Sequence, residues 1–161
     1  MAKRPGPGAG RWKLHSTQVH GSTSYNRREA KKEAEEEIDE ALRQHTVLVA
    51  EDDAQARENI VGALRDRGYI VLTADNGDEA EATCKYQKNI DLLVTGVTLP
   101  GLDGLLLTGK VSKRIPVVVY TTHPEEYANK AKRYGACAVV GKSFAAGNSE
   151  ELCDVVDKAL R

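Results

Sequence analysis

Five short runs of mostly apolar residues, each followed by a stretch with helical spacing, constrain the fold of this chain more than any other feature. The runs cover residues 46–50, 69–74, 90–96, 116–122 and 136–141, and the last helical stretch covers 149–161. Strands that alternate with helices in this way form parallel sheets covered on both faces. The sequence therefore predicts a doubly wound α/β domain over residues 45–161, with its ligand crevice at the carboxyl ends of the strands.

Local signals mark the ends of individual helices in this domain. Ile60, Val61 and Leu64 share one helical face, and Gly68 is placed to stop that helix. Pro124 and Gly135 bracket another helix, as proline favours the first helical position and glycine the position just past the end. These signals support the alternation of strands and helices.

The first 44 residues differ in composition from the rest. Residues 1–26 are rich in Gly, Pro, Ser and Thr, which predicts a flexible tail, and residues 27–44 are strong helix formers. A narrow apolar stripe runs along this helix and is formed by Ala30, Ala34, Ile38 and Leu42. The helix is either solvated or a docking or dimerising element, and its stripe is shorter than the three or four heptads of a coiled coil.

Charge and cysteine content narrow the class of protein. With 40% hydrophobic and 29% charged residues, the chain can build a globular core, and its net charge of −1 gives no global reason to bind nucleic acid or an anionic membrane. Residues 1–28 hold six basic residues and no acid, so a nucleic-acid partner would bind this tail.

Three cysteines without a CxxC pair predict reduced thiols and a cytoplasmic protein. No apolar run approaches the ~18 residues that span a bilayer, so no membrane association is expected.

Polar side chains follow three of the predicted strands. Glu51, Asp52 and Asp53 close the first, Thr121 closes the fourth and Lys142 follows the fifth. Adjacent carboxylates repel one another unless they share a cation, and their oxygens suit Mg²⁺. Because the carboxyl ends of parallel strands meet at one edge, these groups are expected to converge there. Such a set suits a phosphoryl group with its metal.

Residues 45–161 resemble the receiver domain of two-component response regulators. The stretches that carry the resemblance are VLVAEDD, GYIVLTADNGDEA, DLLVTGVTLPGLDG, IPVVVYTT and GACAVVGKSF, in the order of the family. The resemblance implies a flavodoxin-like fold with strand order 2-1-3-4-5. It also implies an acidic pair that binds Mg²⁺, an aspartate that accepts phosphate from a histidine kinase, a Thr or Ser that senses it and a lysine that pairs with it. Here the pair is Glu51 and Asp52, the sensor Thr121 and the lysine Lys142.

The chain departs from the family pattern at three positions. The phosphate acceptor position is Gly96, the aromatic switch position is Val139, and the proline expected after the lysine is Ser143. The phosphate acceptor, the switch residue and the loop after the lysine are thus altered together, which predicts a degenerate receiver, or pseudo-receiver. We expect no catalytic residue, no enzymatic activity and no required cofactor, with at most weak Mg²⁺ binding through Glu51 and Asp52.

The function expected from these features is a stand-alone receiver-like module that binds a protein partner without aspartyl phosphorylation, since the chain ends with the last predicted helix. Its expected partner face lies on the last two helices and comprises Glu125, Glu126, Asn129, Lys130, Arg133, Asp154 and Lys158. Homodimerisation is a further option. Two alternatives remain open: a phosphorelay receiver that uses a non-standard acceptor residue, and a nucleic-acid-associated regulator that binds through residues 1–28.

Overall fold

The computed structural model describes residues 26–38, 44–142 and 149–161. The chain divides into two compact units, Met1–Arg43 and Gln44–Arg161. In the first unit, residues 26–38 form helix α1, in which Lys31 pairs with Glu35 one turn later at 3.7 Å. Residues 1–25 of the predicted tail and the carboxyl end of the predicted helix, 39–43, lie outside the described residues.

In its described residues, the second unit is a five-stranded parallel sheet flanked by five helices. Its strands are β1 (Thr46–Ala50), β2 (Ile70–Ala74), β3 (Leu92–Gly96), β4 (Val117–Thr121) and β5 (Ala138–Gly141). Its helices are α2 (Ala54–Asp66), α3 (Gly77–Tyr86), α4 (Gly104–Val111), α5 (Pro124–Arg133) and α6 (Ser149–Ala159). The strand order is β2-β1-β3-β4-β5, which confirms the predicted doubly wound topology.

The central strands are buried on both faces of the sheet. Every residue of β1, β3 and β4 is buried, which is why these strands read as continuous apolar runs in the sequence. Val47 and Val49 pack on the face that is covered by α2 and α6, whereas Leu48 packs on the face that is covered by α3 and α4. Alternate residues of one strand thus serve two hydrophobic clusters.

Glycines end α2 and α5 in the predicted places. Gly68 has a φ of 90° and Gly135 a φ of 100°, in the left-handed region that glycine enters without steric cost. After α2, the Tyr69 amide donates to the Leu64 carbonyl and the Gly68 amide to that of Arg65, at 3.2 and 2.9 Å. This pair of bonds is a Schellman motif, which turns the chain sharply into β2.

A polar cluster joins the carboxyl end of α2 to α6. Arg67 donates to Asp157 at 2.6 Å and to Asp154 at 3.0 Å. The Tyr69 hydroxyl also donates to Asp157, which therefore accepts from two side chains. Burial, followed by this carboxylate, raises the pKa of Tyr69. The cluster fixes α6 against α2 at the end of the helices remote from the carboxyl edge of the sheet.

We expect Asp157→Ala to destabilise the domain, because Tyr69 would lose its charged acceptor. Hydrogen bonds to charged groups contribute about 1.5–3 kcal/mol, so the melting temperature should fall by several degrees in a thermal unfolding experiment. Asp154→Ala is the control, since the Asp154 side chain is 61% exposed and exposed ion pairs contribute little. Equal losses in the two variants would contradict the role assigned to Asp157.

Candidate functional site

The residues that the sequence places at strand ends meet at the carboxyl edge of the sheet. Glu51 directly follows β1, Gly96 ends β3, Thr121 ends β4 and Lys142 directly follows β5. Gly96 is in register with Tyr120, and Thr121 with Gly141. Parallel pairing thus brings residues that are up to 91 positions apart into one site.

A buried ion pair forms the centre of this site. The Nζ atom of Lys142 lies 2.5 Å from Oε2 of Glu51, and the side chains are 21% and 2% exposed, respectively. The other carboxylate oxygen, Oε1, accepts from the Asp53 amide at 3.3 Å. The Lys142 amide donates to the Thr121 carbonyl at 2.6 Å, which holds the lysine at the edge of β4. The pair therefore links the end of β1 to the end of β5.

An aromatic ring lies beside the same lysine. The centroid of the Tyr120 ring is 5.4 Å from Nζ of Lys142, a distance at which a cation is attracted to a ring. Tyr120 is 8% exposed, so this contact is largely shielded from water. Sequence reasoning missed this residue, although it is the one aromatic in the run PVVVYTT. Lys142 thus contacts a carboxylate and a ring together.

Burial and charge act in opposite directions on Glu51. Burial raises the pKa of Glu51, the Lys142 ammonium lowers this pKa by less, and the neighbouring Asp52 carboxylate raises it further. Burial also raises the pKa of Tyr120, and the negative charge of Glu51 adds to that increase. The site therefore holds its carboxylate at a cost that the lysine only partly offsets.

Gly96 leaves room beside this ion pair. A Cβ atom built at Gly96 would lie 3.4 Å from Oε2 of Glu51 and 3.5 Å from Cδ2 of Leu99, distances close to ordinary van der Waals contact. The backbone of Gly96 does not have a positive φ, so an L side chain is tolerated there. The absence of a carboxylate from the end of β3 is therefore a property of the sequence and not a demand of the packing.

The three acidic residues after β1 have separate roles. Asp53 is the N-cap of α2 and accepts from the Ala56 amide at 2.7 Å, a common use of aspartate at a helix start. Asp52 is exposed, unlike Glu51. Arg57 donates to the Glu51 carbonyl at 2.7 Å, a contact that no sequence pattern indicated. Within residues 26–38, 44–142 and 149–161, no three His, Cys, Asp or Glu side chains group closely enough to hold a metal ion.

The expected sensor and switch residues lie on neighbouring strands. Thr121 is 5% exposed, and its hydroxyl accepts from the His123 amide at 3.2 Å. Val139 lies beside Val119 in the register of β4 and β5 and packs against the small cluster under α5. Val139 carries no ring or hydroxyl that could report on Thr121. Ser143 lies outside the described residues.

The seven expected partner-face residues are all exposed. Those on α5 are Glu125, Glu126, Asn129, Lys130 and Arg133, and all five are exposed; Lys158 on α6 is also exposed. Asp154 is engaged by Arg67 at the seam between α2 and α6. The structure thus leaves a continuous set of polar side chains available on α5.

Comparison with known proteins identifies the family. The family model described as "Response regulator receiver domain" matches residues 47–157, so the chain belongs to the response regulator receiver domain family. The receiver fold and two-component signalling class predicted from the sequence are thereby confirmed. In the part of the chain that the structure describes, no helix is long and apolar enough to cross a membrane.

Individual relatives agree with this assignment. The chain is 37% identical over 102 residues to the transcriptional regulatory protein PdtaR of Mycobacterium tuberculosis, which covers 61% of this chain and 49% of the relative. It spans about half or less of the length of the curated relatives it matches. Two solved structures superpose with a TM-score of 0.65 and cover 73% of this chain and 100% of theirs. They are the chemotaxis response regulator CheY4 of Vibrio cholerae, 27% identical, and TrrA of Thermotoga maritima in complex with Mg²⁺ and BeF, 30% identical.

We expect Glu51→Gln to gain stability relative to the wild type as pH rises from 4 to 7. A group whose pKa is raised by folding stabilises the native state below its unfolded pKa, about 4.3 for Glu, and loses that contribution as pH rises through the native pKa. The amide of the variant does not titrate, so only the wild type loses this contribution to its stability as pH rises. Urea unfolding of both proteins at pH 4 and 7 measures the difference. A variant that instead loses stability relative to the wild type as pH rises would show that Lys142 dominates the pKa of Glu51.

Proposed function

We propose that this receiver domain is a signalling module that works by binding a protein partner, without catalysis and without aspartyl phosphorylation. The observation that carries the proposal is Gly96 at the end of β3, facing the Glu51–Lys142 ion pair. A receiver needs a carboxylate at this point to form an acyl phosphate, and glycine has no nucleophile. The fold is retained, whereas the group that would accept phosphate is missing.

The state of Lys142 supports this proposal. In the family that the chain belongs to, this lysine pairs with the phosphorylated acceptor. Here its ammonium already contacts Glu51 at 2.5 Å and the ring of Tyr120 at 5.4 Å. An internal carboxylate thus supplies the negative charge that a phosphate would otherwise bring. The link between the ends of β1 and β5 is then permanent, and the domain presents its partner surface without a phosphorylation signal.

The same contacts argue for weak binding of Mg²⁺. The residues that would hold the ion are Glu51 and Asp52, and the carboxylate of Glu51 is committed to Lys142. With no carboxylate at position 96, Mg²⁺ would have to keep most of its waters. The donor set therefore fits the metal poorly, and the proposed function needs no cofactor.

The proposed partner surface comprises residues of α5 and of α6. Its exposed side chains change from acidic at the start of α5, Glu125 and Glu126, to basic at its end, Lys130 and Arg133, and such a charged face favours a polar contact of the kind seen in reversible signalling complexes. α1 offers a second surface, since Ile38 is 59% exposed on its apolar stripe. Homodimerisation is one use of either surface.

The three cysteines are free thiols, in line with the cytoplasmic location proposed for the protein.

A non-standard acceptor is the main competing hypothesis. Thr98 is exposed in the loop after β3, but its hydroxyl would form a phosphoester rather than the reactive acyl phosphate. Incubation of the wild type with acetyl phosphate and Mg²⁺, followed by mass spectrometry of the intact protein, distinguishes the two. Gain of one phosphoryl group would refute phosphorylation independence, and an unchanged mass supports it.

We expect Gly96→Asp to accept phosphate from acetyl phosphate. The new carboxylate would stand beside Glu51 and near Lys142, and phosphoryl transfer depends mainly on positioning and charge neutralisation. Intact mass should show one phosphoryl group in this variant alone. Added Mg²⁺ should also raise its melting temperature more than that of the wild type, because an ion that binds only the native state stabilises it.

Gly96→Asn is the matched control, since it adds the same volume without charge. It should fold and show neither phosphorylation nor a Mg²⁺ response. If Gly96→Asp folds and behaves like this control, the site geometry has diverged from that of working receivers. The proposed roles of Thr121 and Lys142 would then be withdrawn.

The α1 surface is tested by Ile38→Asp. If the apolar stripe makes a contact, a carboxylate at its centre should weaken self-association or partner binding at least tenfold, because burying an unpaired charge is strongly unfavourable. Analytical ultracentrifugation and a pull-down with the full chain measure these effects. Glu37→Asp is a control on the same helix. If Ile38→Asp associates as strongly as the wild type, α1 is a solvated helix and not a contact surface.

A further inference from the structure

The edge of the sheet opposite the candidate site carries a dense group of basic side chains. Three helices on one face of the sheet, α3, α4 and α5, end there, and the segments at their ends are 84–89, 110–115 and 130–135. These segments contain eight lysines and arginines and no carboxylate, in a chain whose net charge is −1. The positive charge is therefore concentrated, not spread over the surface.

Contacts between the three segments show that they form one surface. Arg114 donates to the Cys84 carbonyl at 2.5 Å, which joins the end of α3 to the turn after α4. Ser112 donates to the Tyr134 carbonyl at 3.1 Å, which joins the end of α4 to the end of α5. We name this surface the basic edge and define it by six of its eight exposed cations: Lys85, Lys88, Lys113, Arg114, Lys132 and Arg133.

Helix dipoles explain only part of this charge. A helix carries about half a negative charge at its carboxyl end, so three helices attract about one and a half positive charges. Two carboxylates lie near this edge: Glu81 pairs with Lys110 at 2.9 Å, and Asp91, just before β3, accepts from the Thr46 amide at 2.9 Å. Among the residues that the structure describes, Lys110 is the one member of the eight that forms an ion pair, and the mutual repulsion of the others costs stability. A polyanion bound at this edge would relieve that repulsion.

Two exposed tyrosines lie among these cations. Tyr86 is 77% exposed beside Lys85, whose Nζ lies 5.9 Å from the ring centroid, and Tyr134 is 41% exposed at the end of α5. Aromatic rings flanked by lysine and arginine are the combination that binds single-stranded nucleic acid, because the cations contact phosphates and unpaired bases stack on the rings. An acidic polypeptide would use the cations but has no bases to stack.

We infer that the basic edge binds single-stranded nucleic acid. Phosphates contact the cations of the three helix ends, and a base stacks on Tyr86. This surface is distinct from the basic tail of residues 1–28 and from the partner face on α5, with which it shares only Arg133. It lies at the other end of the strands from Glu51 and Lys142, so binding does not depend on the state of that site.

Fluorescence anisotropy of the full chain with labelled 12-nucleotide oligothymidine and oligouridine tests the inference. Both should bind, and affinity should fall roughly tenfold or more between 50 and 200 mM salt if about three phosphates are contacted, since the slope is about −0.7 per phosphate. Tyr86→Ser keeps every charge and removes the stacking ring, so it should weaken binding at least fivefold. Its side chain is exposed, so the variant should fold.

Two triple variants with the same net charge distinguish binding at the basic edge from attraction by the charge of the whole chain. Lys85→Glu/Lys113→Glu/Lys132→Glu should abolish binding, whereas Lys31→Glu/Lys32→Glu/Lys158→Glu has the same net charge and should retain most of it. Replacing Lys3, Arg4, Arg11 and Lys13 by serine tests the tail. Loss of binding with the tail variant alone would overturn the inference. So would unchanged affinity in Tyr86→Ser together with equally tight binding of polyglutamate, which would assign the edge to an acidic protein.

Discussion

The carboxyl edge of the sheet depends on one interaction, the contact of the buried Glu51 carboxylate with Lys142 at 2.5 Å. A charge in a poorly hydrated interior is tolerated only when a partner offsets its lost hydration. The two partners differ in their access to water, because the lysine side chain is 21% exposed and that of the glutamate 2%. The lysine can therefore regain hydration on its own, whereas the glutamate depends on the lysine. This asymmetry makes Lys142 the residue that keeps the edge in its present arrangement.

Gly96 changes the chemistry of the edge without changing its architecture. A Cβ atom at this position would meet its neighbours only at van der Waals distance, and φ is not positive, so nothing in the backbone selects glycine. By contrast, Gly104 cannot carry a side chain, because its Cβ atom would lie 1.8 Å from the Gly96 carbonyl oxygen. One glycine is thus imposed by packing and the other is permitted by it.

Charge is divided between the two ends of the strands. Glu51, Asp52 and Asp53 lie at the carboxyl edge, whereas the basic edge lies at the opposite end. Helix dipoles favour this polarity, because acidic groups are stabilised at helix starts and basic groups at helix ends. The near-zero net charge of the whole chain conceals the division.

The sequence by itself determined the order of strands and helices, the helix ends at Gly68 and Gly135 and the absence of a nucleophile at Gly96, because these follow from local propensity and from the identity of single residues. It also placed Thr121 and Lys142 at strand ends. Because parallel pairing brings such ends together, their convergence at one edge of the sheet was predictable as well. The tertiary structure alone decided that Lys142 contacts Glu51 and Tyr120, that Asp53 caps a helix and that three helix ends form one basic edge. Those outcomes depend on rotamers, burial and contacts between residues distant in sequence, which no local pattern encodes.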